Sequence, residues 1–233
     1  MREDPWGFWP SHTLVLFSNH KPTVQGRDEG IWRRVQVSAM AGVYGMAMTI
    51  GGERWTATLS PLLATPANRL ALFLGRALPQ IVNGFVVSAF GFVSGWALLD
   101  FHPKPSGLPA LTLVVALTCA SCTGFGLVVG ALGLRFRDVF TISNPAYFLM
   151  LLVCGVNIPL SALPGWLAAI GRALPLTHGI EAARKLADGT AFADVQGLVA
   201  TEVAIGLAWA FLAYLMLRFF EEESRRRATL ELL

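Results

Sequence analysis

The residues able to do chemistry in this chain are few and scattered. Its four histidines, His12, His20, His102 and His178, lack the H-E-x-x-H or H-x-x-x-H spacing that sets two imidazoles on one helix face, so no metal site is expected. Cys119 and Cys122 stand at the C-x-x-C interval, but in mid-stretch of an apolar run with no second pair, and Cys154 lies in another such run. Small residues packing a helix are a better reading of them than redox or metal chemistry. No G-x-x-x-x-G-K-[ST] occurs, and no Gly-Lys pair at all. The backbone cradle and lysine that hold nucleotide phosphates are therefore not encoded, and the chain alone is expected not to hydrolyse ATP. The nearest thing to an acid and base cluster is His178, Glu181 and Asp188. A lipid-modifying enzyme would use such groups near a membrane interface, and an ordinary polar loop would carry them equally well.

Composition says what must position these residues. Of 233 residues 54% are hydrophobic and 14% charged, with a mean hydropathy of +0.55, where a soluble domain carries about 25% charged residues. That balance excludes a disordered chain, argues against a water-soluble enzyme and points to a bilayer. The 18 Lys and Arg that leave a net charge of +3 are spread between apolar blocks, so no nucleic-acid partner is expected. Five gaps between charges are candidate spans: Val35–Gly52, Ala77–Leu99, Pro105–Leu134, Val139–Gly171 and Val195–Leu217, the last broken only by Glu202. Near the start of its span that carboxylate is expected to sit a turn or two from an interface, where it costs least. The fourth gap holds Pro145, Pro159 and Pro164, with Pro175 just beyond. It therefore predicts a helix over about 143–156 followed by short re-entrant pieces around 162–170. The expected fold is all-α, a polytopic membrane helix bundle with about five visible spans and short re-entrant helices before the last.

Orientation follows from the short loops. Arg54, Arg69 and Arg76 mark one loop, Arg135 and Arg137 another, and Arg218 with Arg225, Arg226 and Arg227 the tail. These alternate segments are assigned to the cytoplasm, and the loops with Lys104 and with Arg172, Arg184 and Lys185 to the opposite side. With five spans the polar segment 1–34, which carries Arg2, Lys21, Arg27, Arg33 and Arg34, is left outside against the charge rule. The expectation is a chain that lacks a span its relatives have and is less stable than they are. The domain reading is 1–34 as a polar amino-terminal segment, 35–222 as the membrane domain and 223–233 as a cytoplasmic tail.

Two Gly-x-x-x-Gly pairs, Gly91 with Gly95 and Gly126 with Gly130, let another helix backbone approach closely, within one bundle or at a dimer seam. In the segment after the first gap, Trp55, Leu59 and Leu62 recur at i, i+4 and i+7, and Thr65-Pro66 reads as the cap and first position of the next helix. A short amphipathic helix before the second span follows, either floating in the interface or docking a cytosolic partner.

Three groups of residues, in order, resemble the permease subunits of type-2 ABC exporters. The first is Glu53-Arg54, Thr58-Leu59, Leu62-Leu63-Ala64-Thr65-Pro66, Arg69 and Gly75-Arg76. The second is Phe136-Arg137-Asp138-Val139 with Asn144-Pro145, and the third Pro159, Pro164, Trp166, Pro175-Leu176-Thr177-His178, Ile180-Glu181 and Arg184. The resemblance covers about residues 38–222. It implies a six-helix subunit whose loop before the third family helix, here Glu53, Arg54, Trp55, Leu59 and Leu62, couples to a separate ABC ATPase subunit. It also implies a cytoplasmic turn at Arg135, Arg137 and Asp138, and an outer re-entrant region at Pro159, Pro164, Pro175, His178 and Glu181. The chain would then hold no cofactor, ATP and Mg being bound by the partner. It would pair with a second permease copy or paralogue and membrane lipids in a bacterial inner membrane, carboxyl terminus inside. Its task would be to move an amphipathic substrate outward: a drug, a lipid-linked molecule or a polysaccharide-type cargo. Met1 to Arg34 stands where the family has its first span, and Trp55 where it has a second Glu. An integral-membrane lipid-modifying enzyme and an ion-coupled carrier are the rival readings, the carrier requiring ionisable groups near the midplane, which only Glu202 approaches.

Overall fold

The computed structural model describes residues 27–56, 69–99, 104, 107–135, 139–155 and 157–227. Among them are seven α-helices and one 3-10 turn and no strand: α1 Arg27–Trp55, α2 Arg69–Leu99, α3 Leu108–Arg135, α4 Phe140–Val153, the 3-10 turn Leu160–Ala162, α5 Gly165–Ala173, α6 Thr177–Ala187 and α7 Phe192–Arg227. The polytopic all-α bundle expected from the apolar gaps is what the chain forms. Among the described residues three helices are by length and composition able to cross a bilayer by themselves: Leu74–Ala97 in α2, Leu108–Gly133 in α3 and Phe192–Phe220 in α7. The first gap lies inside a 29-residue helix whose ends carry Arg33, Arg34, Glu53 and Arg54. The fourth gap is divided as its prolines demand. Helix α4 has only 14 residues, about 21 Å at 1.5 Å per residue, and the chain then breaks at Pro159 and Pro164, each of which stands immediately before a new helical piece.

Helix α3 is the axis of the bundle. Its apolar residues Leu111, Val114, Val115, Val128, Val129 and Ala131 are buried, with α1 and α2 against it on one side and α6 and α7 on the other. Helices α2 and α7 bury only a stripe and turn Val82, Val86, Phe90, Val93, Leu207, Phe211 and Phe219 outward, the pattern of helices whose far side faces lipid. The close contacts rest on small residues. A Cβ on Gly126 would stand 2.7 Å from the Val43 carbonyl oxygen and 2.8 Å from Val43 Cα, and one on Gly130 would stand 2.6 Å from Ile50 Cδ1. The Gly126-x-x-x-Gly130 pair is thus spent on α1 within this chain, and Gly91 and Gly95 are likewise buried.

Hydroxyl groups in the apolar bundle turn back on their own helices. Thr49, Ser88, Thr118, Thr123, Ser143 and Thr201 each donate to the carbonyl four residues earlier, which satisfies the hydroxyl where no water competes. Cys119 and Cys122 are free thiols buried in α3, so the C-x-x-C pair is helix packing.

Chain direction sorts the loops into two ends. Gly51 and Gly133 both close on Val139 at one end, where Leu217 of α7 joins the cluster of Met46 and Ile50. At the other, Gly107 approaches the Leu186 carbonyl and Gly189 the Lys104 side chain. Replacing Gly126 by Leu should lower stability by about 1–3 kcal/mol, the usual cost of overpacking a filled core. Thermal melting of detergent-purified protein measures it, with Gly197→Ala, where a Cβ meets nothing within 4 Å, as the control that does not lower the melting temperature.

Candidate functional site

Two polar constellations stand out in this apolar bundle, one at each end. The first joins the end of α1 to the start of α2. Arg76 Nε donates to Glu53 Oε1 at 2.6 Å, with the two side chains 10% and 24% exposed. One turn further in, Gln80 Nε2 donates to Thr49 Oγ1 at 3.1 Å, and that hydroxyl donates to the Gly45 carbonyl at 2.8 Å. The carbonyl end of Gln80 fits there because residue 45 has no side chain. Spacings of four residues on each helix, Thr49 to Glu53 and Arg76 to Gln80, put both rungs on facing stripes. The charge-bearing rung is partly shielded from solvent, which raises its worth above that of an exposed ion pair.

Glu53, Arg54 and Trp55 form the last turn of α1 rather than the start of a separate amphipathic helix, and Thr56 closes that turn onto the Gly52 carbonyl. Leu59 and Leu62 of the expected coupling face lie outside the described residues, as do Arg137 and Asp138. Arg135 ends α3.

The second constellation is the re-entrant pair α5 and α6 at the opposite end. Pro164 precedes α5, and Pro175 lies in the bend Leu174–Leu176 that separates α5 from α6. Leu176 is the cap residue of α6 and adopts φ 96°, ψ −39°, a conformation that costs a non-glycine residue about 1–3 kcal/mol and persists only where its surroundings fix it. Here they do. Leu176 N–H donates to Glu202 Oε1 at 2.8 Å and Gly179 N–H to Glu202 Oε2 at 3.1 Å. The Leu176 side chain is fully buried.

The carbonyls that end α5 are capped as fully. Thr177 Oγ1 donates to Gly171 O at 2.6 Å, His178 Nε2 to Arg172 O at 3.2 Å and Trp209 Nε1 to Ala173 O at 3.0 Å. Arg184 donates to the Gly155 carbonyl at 3.3 Å and ties the chain after α4 to α6. Helix α6 is amphipathic, with Ile180, Ala182, Ala183 and Leu186 buried and Glu181 and Lys185 outside, paired with each other at 2.9 Å. Of the residues an enzyme would need, Glu181 is paired with Lys185 and His178 donates through Nε2 to Arg172 O, while its buried Nδ1 has no hydrogen-bond partner among the described residues.

Glu202 is where the reading of the sequence falls short. The expectation of a place a turn or two from an interface says nothing of its partners: α7 begins at Phe192 and runs through it, and the residue is 1% exposed. The signal available was the rule that an ionisable residue inside a span has a specific partner. That partner, two backbone amides, leaves no trace in residue types. The Glu53–Arg76 pair was also missed, although opposite charges bracketing a short loop between two helices were there to be read.

A bundle of apolar helices with a polar clasp at one end and a pair of short helices at the other is that of a polytopic membrane protein. The family model described as ABC-2 type transporter matches residues 16–187, and the chain belongs to that family of ABC transporter permeases. It is similar to the probable multidrug ABC transporter permease YbhR of Escherichia coli K12, with 26% identity over 140 residues. The same likeness holds for its counterpart in Escherichia coli O157:H7. The match takes in 57% of this chain and 36% of the relative.

The clasp can be measured. Glu53→Arg or Arg76→Glu alone should lower stability by about 1–2 kcal/mol by leaving a like-charge pair, and the double exchange should recover most of the loss. Melting temperatures of the four proteins test it, and simple additivity in the double variant would show that the pair contributes nothing.

Proposed function

We propose that this chain is the membrane-spanning subunit of an ATP-driven exporter, moving an amphipathic substrate outward with energy supplied by a separate ABC ATPase subunit. The observation that carries the reading is the two-rung clasp of Glu53 with Arg76 and Thr49 with Gln80. It ties α1 to α2 on either side of the short segment 57–68. A force applied to that segment therefore reaches two helices at once, and both pack on α3. Family membership supports the partnership with an ATPase, and the printed name of the relative, a probable multidrug permease, supports an amphipathic cargo. The sequence holds no G-x-x-x-x-G-K-[ST] motif, which supports an energy source in the partner. The positively charged loops support the end that carries Glu53, Arg76 and the tail as the cytoplasmic one, in a bacterial inner membrane. A second permease copy or paralogue completes the transport unit.

The test is reconstitution with the ATPase subunit and ethidium as the amphipathic probe. Export of ethidium into or out of vesicles should require ATP and both subunits, and the chain alone should turn over no ATP. Turnover by the chain alone, or ethidium movement driven by an ion gradient without ATP, would overturn the reading. In the same system Leu59→Asp should leave membrane insertion intact and cut ethidium export per ATP about tenfold, a coupling loss of the usual allosteric size. Normal export by that variant would make segment 57–68 an interfacial float. For orientation, single cysteines at positions 60 and 104 should be labelled from opposite faces of intact cells.

A further inference from the structure

Helix α6 begins inside the protein without a cap of its own. Ser, Thr, Asp or Asn usually fills the cap position and accepts an N–H from the first turn. Here that position is Leu176, which has no acceptor. The acceptors come from another helix: both oxygens of Glu202, one on Leu176 N–H and one on Gly179 N–H. A carboxylate is suited to this because it has two acceptor oxygens and a charge that matches the positive end of the α6 dipole. The same residue is gripped from behind, since Ser121 Oγ of α3 donates to the Glu202 backbone carbonyl at 3.1 Å. That hydroxyl bonds across helices, as Thr177 does from α6 to α5, whereas Thr118, Thr123 and Ser143 bond back within their own. Two turns further along α7, Trp209 donates to the last carbonyl of α5 while its ring meets Phe125 of α3 edge-on at 4.8 Å. Glu202 and Trp209 lie seven residues apart, on one face of α7. That face holds the start of α6 with one side chain and the end of α5 with the other.

We infer that Glu202 is the positioning residue of the re-entrant pair: it fastens the start of α6, and with it the bend Leu174–Leu176 that joins α5, to α7, so that a displacement of α7 carries the pair with it. Resting on the exporter reading, this makes α7 the helix that relays motion from the clasped end to the opposite end. Both carboxylate oxygens are occupied by backbone amides, an arrangement that serves anchoring. A proton-carrying carboxylate would instead need an oxygen open to a path.

The experiment uses the full chain in native membranes, with Cys119, Cys122 and Cys154 replaced by Ala and one reporter cysteine placed by Ile180→Cys in the first turn of α6 or by Met46→Cys in α1, both at buried sites. Glu202→Gln keeps the shape but leaves one acceptor facing two amides. Maleimide labelling at position 180 should rise about tenfold, in keeping with the loss of a helix cap, while position 46 stays as slow as before. Glu202→Asp retains two acceptors on a shorter arm and should give a smaller rise, about threefold, at position 180 only. Equal rates at position 180 with and without the substitution overturn the proposal. So does a parallel rise at both positions, or loss of both variants from the membrane, either of which gives Glu202 a role in the whole bundle. These rates need neither ATP nor substrate, so failure of the exporter reading leaves them standing. In the reconstituted exporter Glu202→Gln should retain ATP turnover and lose about tenfold in ethidium export per ATP, and unchanged export would refute the relay.

Discussion

Where no water reaches, every backbone N–H and C=O must find a partner within the protein, and this constraint governs the bundle at the place where the chain turns back on itself. A helix that crosses from end to end satisfies its own amides. A pair such as α5 and α6, whose inner ends meet at Pro175 and Leu176, exposes the last carbonyls of one helix and the first amides of the other side by side. Thr177, His178 and Trp209 take the carbonyls and Glu202 takes the amides. Of those four, Trp209 and Glu202 come from α7, so the turn forms only with that helix in place. The strained Leu176 backbone is held by the same bonds. Placing a carboxylate in an apolar span costs about 2.5–3.5 kcal/mol by itself, which two amide donors and the end of a helix offset.

The rest of the packing makes that meeting possible. Gly206 of α7 lies against Ser121, where a Cβ would stand 2.8 Å from Ser121 Cβ, and Gly124 faces the Gly206 carbonyl. Small residues bring α3 and α7 close enough for Ser121 to reach the Glu202 carbonyl. On the other side of α3, Gly126 and Gly130 do the same for α1. In a membrane, where lipid is as apolar as leucine, this closeness and the hydrogen bonds it permits replace the hydrophobic effect as the source of helix association.

Sequence alone made the helical bundle legible because the absence of charge can be read directly, and proline positions located the break after α4. The helix ends were less legible. Helix α1 begins at Arg27 rather than near Val35, and α7 continues to Arg227, because Glu and Arg continue a helix as well as apolar residues do, no proline intervenes, and α1 runs through its one early glycine, Gly30. The position of the re-entrant pair was legible from Pro159, Pro164 and Pro175, and its chemistry was not. Hydrogen bonds from Leu176 and Gly179 amides belong to the backbone, which every residue shares, so nothing in the string of letters distinguishes them.

The two polar constellations also explain each other. Apart from them, few polar interactions cross between helices of the core among the described residues: most hydroxyls bond within their own turns, and Ser88 Oγ of α2 meets Cys119 Sγ of α3 at 4.0 Å. The clasp of α1 to α2 and the anchor of α5 and α6 to α7 therefore mark the contacts that must survive when helices slide, because a hydrogen-bonded pair in an apolar medium is costly to break. Packing of Val, Leu and Ala alone, by contrast, permits small sliding displacements of the shear type. Helix α3, buried between the two groups, bonds to one of them through the Ser121 hydroxyl, meets α2 at the contact of Ser88 with Cys119, and otherwise packs against its neighbours through apolar and small residues. A bundle built in this way has rigid pairs at its ends and a greasy axis between them, which is the division of stiffness that relaying a movement along a membrane protein requires.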